Sequence, residues 1–240
     1  MTDFAIAKRA RPLLDLTDLS DACTPNAIEA LCARARGGAA PVAAICVWPR
    51  FVAGAKRILA GGPVRVATVA NFPHGGPDAE AAAEEARAAL ADGADEVDVV
   101  IPYRALLAGG EAAAAGLLSA VRRATDGATL KVILETGALR EPAPIATACR
   151  IALEAGADFL KTSTGKSPVS ATPEAAEIML GAIRDAGRPV GLKPSGGIRT
   201  LGEAARYLDL ADRIMGPDWV SPRTFRIGAS GLLDAIDAAR

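Results

Sequence analysis

A regular alternation of short apolar runs with alanine-rich segments of helical periodicity constrains the fold of this chain most strongly. The apolar runs are rich in Val, Ile and Leu and recur about every 30 residues, the length of one strand plus one helix. Eight such runs are centred near Leu14, Ile45, Ala67, Asp98, Ile133, Leu160, Leu192 and Ile227. The alternation predicts repeated βα units that build a parallel sheet.

The chain length favours one architecture for these units. The chain has 240 residues and shows neither a linker nor a low-complexity tail. Eight βα units in this length match the (β/α)8 TIM barrel, which typically has about 250 residues. We therefore predict an α/β fold with one barrel domain over residues 1–240, and a doubly wound open sheet is the alternative.

Helix boundary signals support the alternation at two places. Thr172 precedes Pro173 as an N-cap does, and Gly187 marks the end of a helix that runs to about Ala186. The segment 78–93 begins with an aspartate, ends with a glycine and has charges on one side. It is typical of a surface helix whose alanines pack closely on a barrel.

The composition excludes several functional classes. Lys plus Arg number 27 against 28 Asp plus Glu, so the net charge of -1 gives no field that would attract nucleic acid or an anionic membrane. The apolar runs fall short of the roughly 18 to 20 residues that cross a bilayer. The first 16 residues lack the apolar core of a signal peptide, so we expect a cytoplasmic protein.

The cysteine and histidine content argues against a metal centre. Cys23, Cys32, Cys46 and Cys149 show no CxxC spacing and are typical of reduced, packed thiols. The single histidine, His74, lies in the turn-rich stretch NFPHGG and is more typical of a loop than of a catalyst. A three-histidine zinc site is thereby excluded, although carboxylates could still hold magnesium, and the residues indicate no other cofactor.

Four ionisable residues are predicted to converge inside the barrel, because side chains alternate along a strand. In EVDVVIP the wholly apolar face should pack on helices, which turns Asp98 inward. The same reasoning applied to PVGLKPSGG and LLDLT turns Lys193 and Asp15 inward. DFLKTST is ambiguous because each face carries one large apolar residue. If Leu160 packs against the helices, Lys161 points into the lumen.

Two lysines inside a barrel indicate amine chemistry. Partial burial and a neighbouring ammonium group both lower the pKa of a lysine and expose its nucleophilic amine near neutral pH. Such an amine attacks a carbonyl, and the resulting iminium withdraws electrons, so that an adjacent carbon–carbon bond breaks or forms without a metal. A structural salt-bridge network is the alternative, since such networks also perturb pKa values.

Glycine-rich turns follow three of the late strands, namely TSTGKS, PSGGIR and IGASG. Small residues let backbone amides approach an anion, and a following helix N-terminus adds a favourable dipole. Barrels often bind phosphate after the seventh and eighth strands. These turns predict a phosphate site, to which Lys166 could add a charge.

Several blocks of the sequence, in order, resemble the deoxyribose-phosphate aldolases, which are the class I aldolases of the DeoC family. The resemblance covers nearly the whole chain and is carried by LLDLT, AAICVWPRF, VATVANFPHG, GADEVDVVIPYRALLAG, LKVILETG, GADFLKTSTGK, ATPEAAEIM, GLKPSGGIRT and FRIGAS. It implies a barrel fold, metal independence and Schiff-base chemistry.

The resemblance also implies roles for individual residues. By its position in KTSTGK, Lys161 matches the lysine that forms the Schiff base. Lys193 matches the second lysine, and Asp98 matches their acidic partner in proton transfer. Asp15 and Thr17 match the substrate-side strand. The positions that match the phosphate side are Gly165, Lys166, Gly196, Gly197, Gly228 and Ser230.

The activity implied by the resemblance is reversible cleavage of 2-deoxy-D-ribose 5-phosphate into D-glyceraldehyde 3-phosphate and acetaldehyde. Open alternatives are a Schiff-base aldolase of another substrate, a sugar-phosphate isomerase and a non-enzymatic sugar-phosphate binder. A homodimer is possible, since such barrels are commonly dimeric.

Two positions depart from some relatives. A C-terminal tyrosine tail is not expected to act here, because the sequence ends at Arg240 and its only tyrosines are Tyr103 and Tyr207. Gly231 stands where some members have a second serine after Ser230, so one phosphate hydroxyl is expected to be missing.

Overall fold

Eight parallel strands form the centre of the molecule in the computed structural model, which describes residues 2–239. The strands are β1 (Leu14–Asp18), β2 (Ala44–Val47), β3 (Arg65–Ala70), β4 (Glu96–Val100), β5 (Thr129–Ile133), β6 (Phe159–Lys161), β7 (Gly191–Lys193) and β8 (Ile227–Ala229). Each of the eight predicted strand centres lies within one of these strands. The predicted order of elements is therefore confirmed.

The sheet closes into a barrel. Each strand from β1 to β6 pairs in parallel with the next along the chain, and β1 also pairs with β8. Two parallel bridges, between Leu192 and Phe225 and between Ser195 and Gly228, join the remaining edges. This closure confirms the (β/α)8 barrel and rules out the open doubly wound sheet.

Helices surround the strands and follow the predicted alternation. They are α1 (Asp3–Ala10), α2 (Pro25–Arg36), α3 (Val52–Leu59), α4 (Ala79–Ala91), α5 (Tyr103–Leu107), α6 (Glu111–Ala124), α7 (Thr136–Leu139), α8 (Pro142–Glu154), α9 (Pro173–Asp185), α10 (Leu201–Met215) and α11 (Leu232–Ala238). None of the helices in residues 2–239 is long and apolar enough to cross a membrane.

The two helices whose boundaries the sequence predicts begin and end close to the expected residues. The Thr172 side chain caps α9 by accepting from the Ala175 amide, and Pro173 occupies the first turn. The Asp78 side chain caps α4 in the same way. The buried alanines of α4 include Ala82 and Ala86. Small side chains let this helix pack closely against its neighbours.

The apolar core lies between the outer face of the barrel and the helices. Leu14 and Leu16 of β1 are fully buried there, as are Leu160 of β6 and Leu192 of β7. By strand alternation, their neighbours in sequence face the lumen. The outer packing therefore fixes which side chains point to the inside of the barrel.

The lumen itself has an apolar side and a charged side. Leu19, Ala44, Cys46, Ala67 and Val69 form a small apolar cluster on β2, β3 and the loop after β1. The charged residues of the lumen come mainly from β4 to β7 and from β1. Such a division places reactive groups against one wall and leaves the other wall apolar.

Candidate active site

The four ionisable residues predicted to face the lumen lie together in the structure. Asp15, Asp98 and Lys193 are fully buried, and Lys161 is 2% exposed. Lys161 and Lys193 are the last residues of β6 and β7, at the carboxyl ends where barrels place their functional groups, while Asp98 is in the middle of β4 and Asp15 is the second residue of β1. The structure resolves the ambiguity of DFLKTST, because Leu160 packs outward and Lys161 reaches Asp98.

Asp98 is the centre of this group. Its Oδ2 accepts from Lys161 Nζ at 2.8 Å and from Lys193 Nζ at 2.7 Å, while its Oδ1 accepts from Lys131 Nζ at 2.8 Å. Burial raises the pKa of Asp98, but the three lysine charges outweigh burial and hold that pKa well below its usual value. Asp98 is therefore an ionised carboxylate at neutral pH.

Lys193 is held as a cation by two carboxylates. Its Nζ lies 2.5 Å from Asp15 Oδ2 in addition to its bond with Asp98. Burial lowers the pKa of Lys193, but the charges of Asp15 and Asp98 reverse this effect and leave it raised. The pKa of Asp15 is lowered in turn by Lys193, Arg226 and Lys131, which overcome burial.

A second layer of charges lies beside the aspartates, and the sequence analysis assigned no role to its members. Glu96 bridges Lys131 at 2.6 Å and Arg226 at 3.0 Å. Arg226 also binds Asp15 Oδ1 at 2.7 Å. Each aspartate thus directs one oxygen toward this layer and the other toward Lys193.

The three buried lysines differ in the number of carboxylates that balance their positive charge. Lys193 contacts two carboxylates at 2.7 Å or less, and Lys131 contacts two at 2.8 Å or less. Lys161 contacts one carboxylate, that of Asp98, among the residues described. Because a buried ammonium group requires compensating charge, Lys161 has the most weakly stabilised positive charge of the three.

A cavity of about 280 Å³ opens beyond these charges at the carboxyl ends of the strands. Seven of the predicted substrate and phosphate residues line it, namely Thr17, Gly165, Lys166, Gly196, Gly197, Gly228 and Ser230. Asp15, which contacts Lys193, lies outside this lining, as do Asp98, Lys161 and Lys193. The glycine-rich turns thus converge at one site, as their positions after the strands predict.

The glycines allow close approach of the backbone. A Cβ on Gly228 would lie 2.6 Å from Ser195 Oγ and 3.1 Å from Lys193 Cε. A Cβ on Gly196, whose φ is 87°, would lie 2.7 Å from the Ser170 side chain. A side chain at position 228 would therefore displace Lys193.

Two charged residues, Lys166 and Arg199, line the cavity. Lys166 Nζ donates to the Leu19 carbonyl at 2.7 Å and lies 5.9 Å from the ring centre of Trp48. Arg199, which the sequence analysis did not select, also lines the cavity and is exposed. Its position in PSGGIR was the signal that could have identified it.

The cysteine nearest the charged group is Cys46. It is fully buried in the small apolar cluster of the lumen. Burial raises the pKa of the Cys46 thiol, so the sulfur is held as a thiol rather than a thiolate. This arrangement agrees with the packing role expected for it.

The fold and the site together define a (β/α)8-barrel enzyme of the lysine-dependent aldolase class. Buried lysines at the carboxyl ends of β6 and β7 share a carboxylate below a glycine-lined cavity. The chain belongs to the DeoC/LacD family of aldolases, whose family model matches residues 13–233.

Individual relatives agree with this assignment. The chain is 54% identical over 226 residues to the deoxyribose-phosphate aldolase of Agrobacterium fabrum (strain C58 / ATCC 33970), covering 93% of this chain and 87% of the relative. It is similar to the tetrameric deoxyribose phosphate aldolase of Aeropyrum pernix, with a TM-score of 0.77 and 26% identity over 100% of this chain and 94% of the other.

More distant similarity extends to another activity. The N-acetylmannosamine-6-phosphate 2-epimerase of Clostridium perfringens has a TM-score of 0.59 and 16% identity, covering 95% of this chain and 90% of its own. At that identity the likeness shows the shared barrel alone. It carries no information about the reaction of this chain.

Proposed function

We propose that this protein is a class I aldolase that reversibly cleaves 2-deoxy-D-ribose 5-phosphate into D-glyceraldehyde 3-phosphate and acetaldehyde. The substrate follows from the named relative at 54% identity. The chemistry is supported by one observation above all, that Lys161 and Lys193 both donate to Asp98 Oδ2. This contact places a nucleophile beside a fixed cation and a fixed anion.

The different compensation of the lysines supports Lys161 as the nucleophile. Lys193 and Lys131 are each stabilised as cations by two close carboxylates. Lys161 has one such contact and lies at the end of β6, directly before the segment that lines the cavity. Of the three it has the fewest carboxylates beside its amine.

In the cleavage direction, the Lys161 amine attacks C1 of the open-chain aldose, and loss of water gives an iminium. A base removes the C3 hydroxyl proton, the C3 oxygen becomes a carbonyl, and the electrons of the C2–C3 bond move into the iminium. D-Glyceraldehyde 3-phosphate leaves, and the resulting enamine takes a proton at C2. Hydrolysis then releases acetaldehyde and restores the amine.

Asp98 and Lys193 support the proton transfers of this sequence. Two hydrogen bonds connect Lys161 Nζ with Lys193 Nζ through Asp98 Oδ2. Because the pKa of Asp98 is held low and that of Lys193 is raised, the proton they share rests on Lys193 Nζ and occupies the Asp98 carboxylate only during a transfer. Ordered water would complete the path to the substrate carbons.

The phosphate is proposed to bind among the glycine-rich turns. The Gly165 and Gly197 amides are proposed as donors, and Arg199 and Lys166 supply positive charge at the cavity. This end of the cavity lies next to Lys193 and Ser195, because a Cβ at position 228 would meet both side chains. The aldehyde end of the substrate would then face Lys161.

Borohydride trapping tests the Schiff base directly. With acetaldehyde and borohydride, peptide mapping is expected to find an ethyl group on Lys161, and Lys161→Ala should abolish both the adduct and the release of acetaldehyde from deoxyribose phosphate. Lys8→Ala, a change of an exposed lysine, is the control and should keep both. An unmodified Lys161 in an active protein would refute the proposal.

The same measurements separate the rival functions. A sugar-phosphate isomerase would turn over without any trapped lysine, and a non-enzymatic binder would release no acetaldehyde. An aldolase of a different substrate would trap at Lys161 but cleave deoxyribose phosphate poorly. We also propose a cytoplasmic location, supported by four free, buried cysteines. Self-association remains a prediction.

A further inference from the structure

Glu135 is a buried carboxylate outside the lysine cluster. It follows β5, is 1% exposed and has φ 56° and ψ 57°, a left-handed conformation that bulky side chains rarely adopt. Such conformations persist where surrounding contacts fix them, and they concentrate near functional sites. Contacts with surrounding residues therefore hold Glu135 in this conformation.

The Glu135 carboxylate binds the segment that lines the cavity. Its Oε2 accepts from Thr164 Oγ1 at 2.5 Å and from the Thr164 amide at 3.4 Å. Thr164 Oγ1 in turn accepts from the Lys166 amide at 3.0 Å. Thr164 and Lys166 both line the cavity, with Gly165 between them.

The short helix α7, which follows β5, also packs tightly on the loop after β6. The Thr136 amide donates to the Thr162 carbonyl at 2.9 Å. A Cβ on Gly137 would lie 2.0 Å from the Val169 carbonyl oxygen, so the two backbones are in close contact. The position of the Thr164 side chain is thus set from β5 rather than by β6 alone.

We propose that Glu135 is a positioning residue for phosphate specificity. Through Thr164 it holds the segment 164–166 in the shape that presents the Gly165 amide and Lys166 to the phosphate of the substrate. This inference rests on the proposed function, because it assigns the phosphate subsite of that reaction. It concerns the affinity for phosphate and not the formation of the Schiff base.

The test compares substrates with and without phosphate. The ratio of kcat/KM for 2-deoxyribose 5-phosphate to that for 2-deoxyribose should fall about tenfold in Glu135→Ala and in Thr164→Val, the effect of losing one charge-assisted hydrogen bond. The double variant should fall no further than either single variant. Inorganic phosphate should also inhibit the variants more weakly.

Conservative variants guard against misfolding. Thr164→Ser keeps a hydroxyl and should restore most of the ratio, and Glu135→Gln keeps an acceptor and should give an intermediate ratio. Thr68→Val is the matched control, because Thr68 is a buried threonine whose hydroxyl bonds a main-chain carbonyl far along the chain, that of Val47. It should leave the ratio unchanged.

The outcomes distinguish this inference from the proposed function. Equal losses on both substrates, with an unchanged ratio, would show a purely structural role and overturn the inference. Acetaldehyde trapping on Lys161 requires no phosphate and is measured in the same proteins. If the protein without substitutions shows no trapping, the proposed function is overturned instead.

Discussion

Lys161 and Lys193, on neighbouring strands, donate to the same carboxylate oxygen, Asp98 Oδ2, at 2.8 and 2.7 Å. Two ammonium groups on one oxygen repel each other, and Lys193 is the better compensated because it also contacts Asp15. The strain of this arrangement is relieved when Lys161 gives up its proton. The shared oxygen thereby links the charge of one lysine to the reactivity of the other.

Replacing Lys193 by Met should move imine formation to higher pH. The change removes the cation that contacts Asp98 and Asp15, and the negative charge left behind favours the ammonium form of a neighbouring amine over its free base. The measurement is the pH dependence of borohydride trapping with acetaldehyde. A profile that does not move would show that Lys193 has no electrostatic effect on the nucleophile.

Replacing Lys131 by Met should destabilise the fold by about 3 to 5 kcal/mol, because it leaves buried carboxylates without their cation. Those carboxylates are Asp98, at 2.8 Å, and Glu96, at 2.6 Å. Adding Glu96→Gln should recover part of the loss, since one of the unpaired charges is removed. Denaturant unfolding of the single and double variants checks this, and strict additivity would contradict it.

The stability of the protein should be nearly constant from about pH 5 to about pH 9. Asp15 and Asp98 have lowered pKa values in the folded state, so their contribution is present above about pH 4 and lost as the pH falls further. Lys131 and Lys193 have raised pKa values, so their contribution is present below about pH 10 and lost above it. Unfolding free energies across this range provide the measurement, and a steep slope at neutral pH would contradict the assignment.

Substituting Ala for Gly228 should reduce kcat/KM by about 100-fold, the effect expected when a catalytic group is displaced by about 1 Å. The new methyl group would press on Ser195 and on Lys193 Cε. Gly202→Ala, in a helix where a Cβ meets nothing within 4 Å, is the matched control and should keep full activity. Similar losses in both variants would show that the geometry at position 228 is not the cause.

The cysteines should be unreactive in the native protein at pH 8. Burial raises the pKa of Cys149 to about 12, and burial together with Asp18 raises that of Cys23 to about 11, so neither forms much thiolate. Thiol titration should count all four cysteines only after denaturation. Rapid labelling of the folded protein would contradict this expectation.

The strands could be predicted from the sequence because apolar runs recur at the spacing of one βα unit. Each run reflects the local requirement that a barrel strand be buried. The orientation of Lys161 was ambiguous from alternation alone, since Phe159 shares its face. The structure explains the exception: the Phe159 ring occupies the space beside Gly191, where a Cβ would lie 2.2 Å from it. A glycine on the next strand thus allows a large apolar residue to face the lumen.

Other members of the site depend on contacts between distant parts of the chain. Arg226 lies one residue before β8, so strand alternation could not place it. Lys131 lies within β5 between the buried residues Leu130 and Val132, so strand alternation does indicate that it faces the lumen. The contact of Lys166 with the Leu19 carbonyl joins residues 147 positions apart and leaves no local signal.

The interlocked charges in the lumen have an uneven balance. Four are basic (Lys131, Lys161, Lys193 and Arg226) and three are acidic (Asp15, Glu96 and Asp98). With all seven ionised, the interior carries one surplus positive charge, and departure of a single proton makes it neutral. The charges of the barrel interior therefore sum to zero when one amine is unprotonated. An unprotonated amine is also the form that reacts with a carbonyl compound.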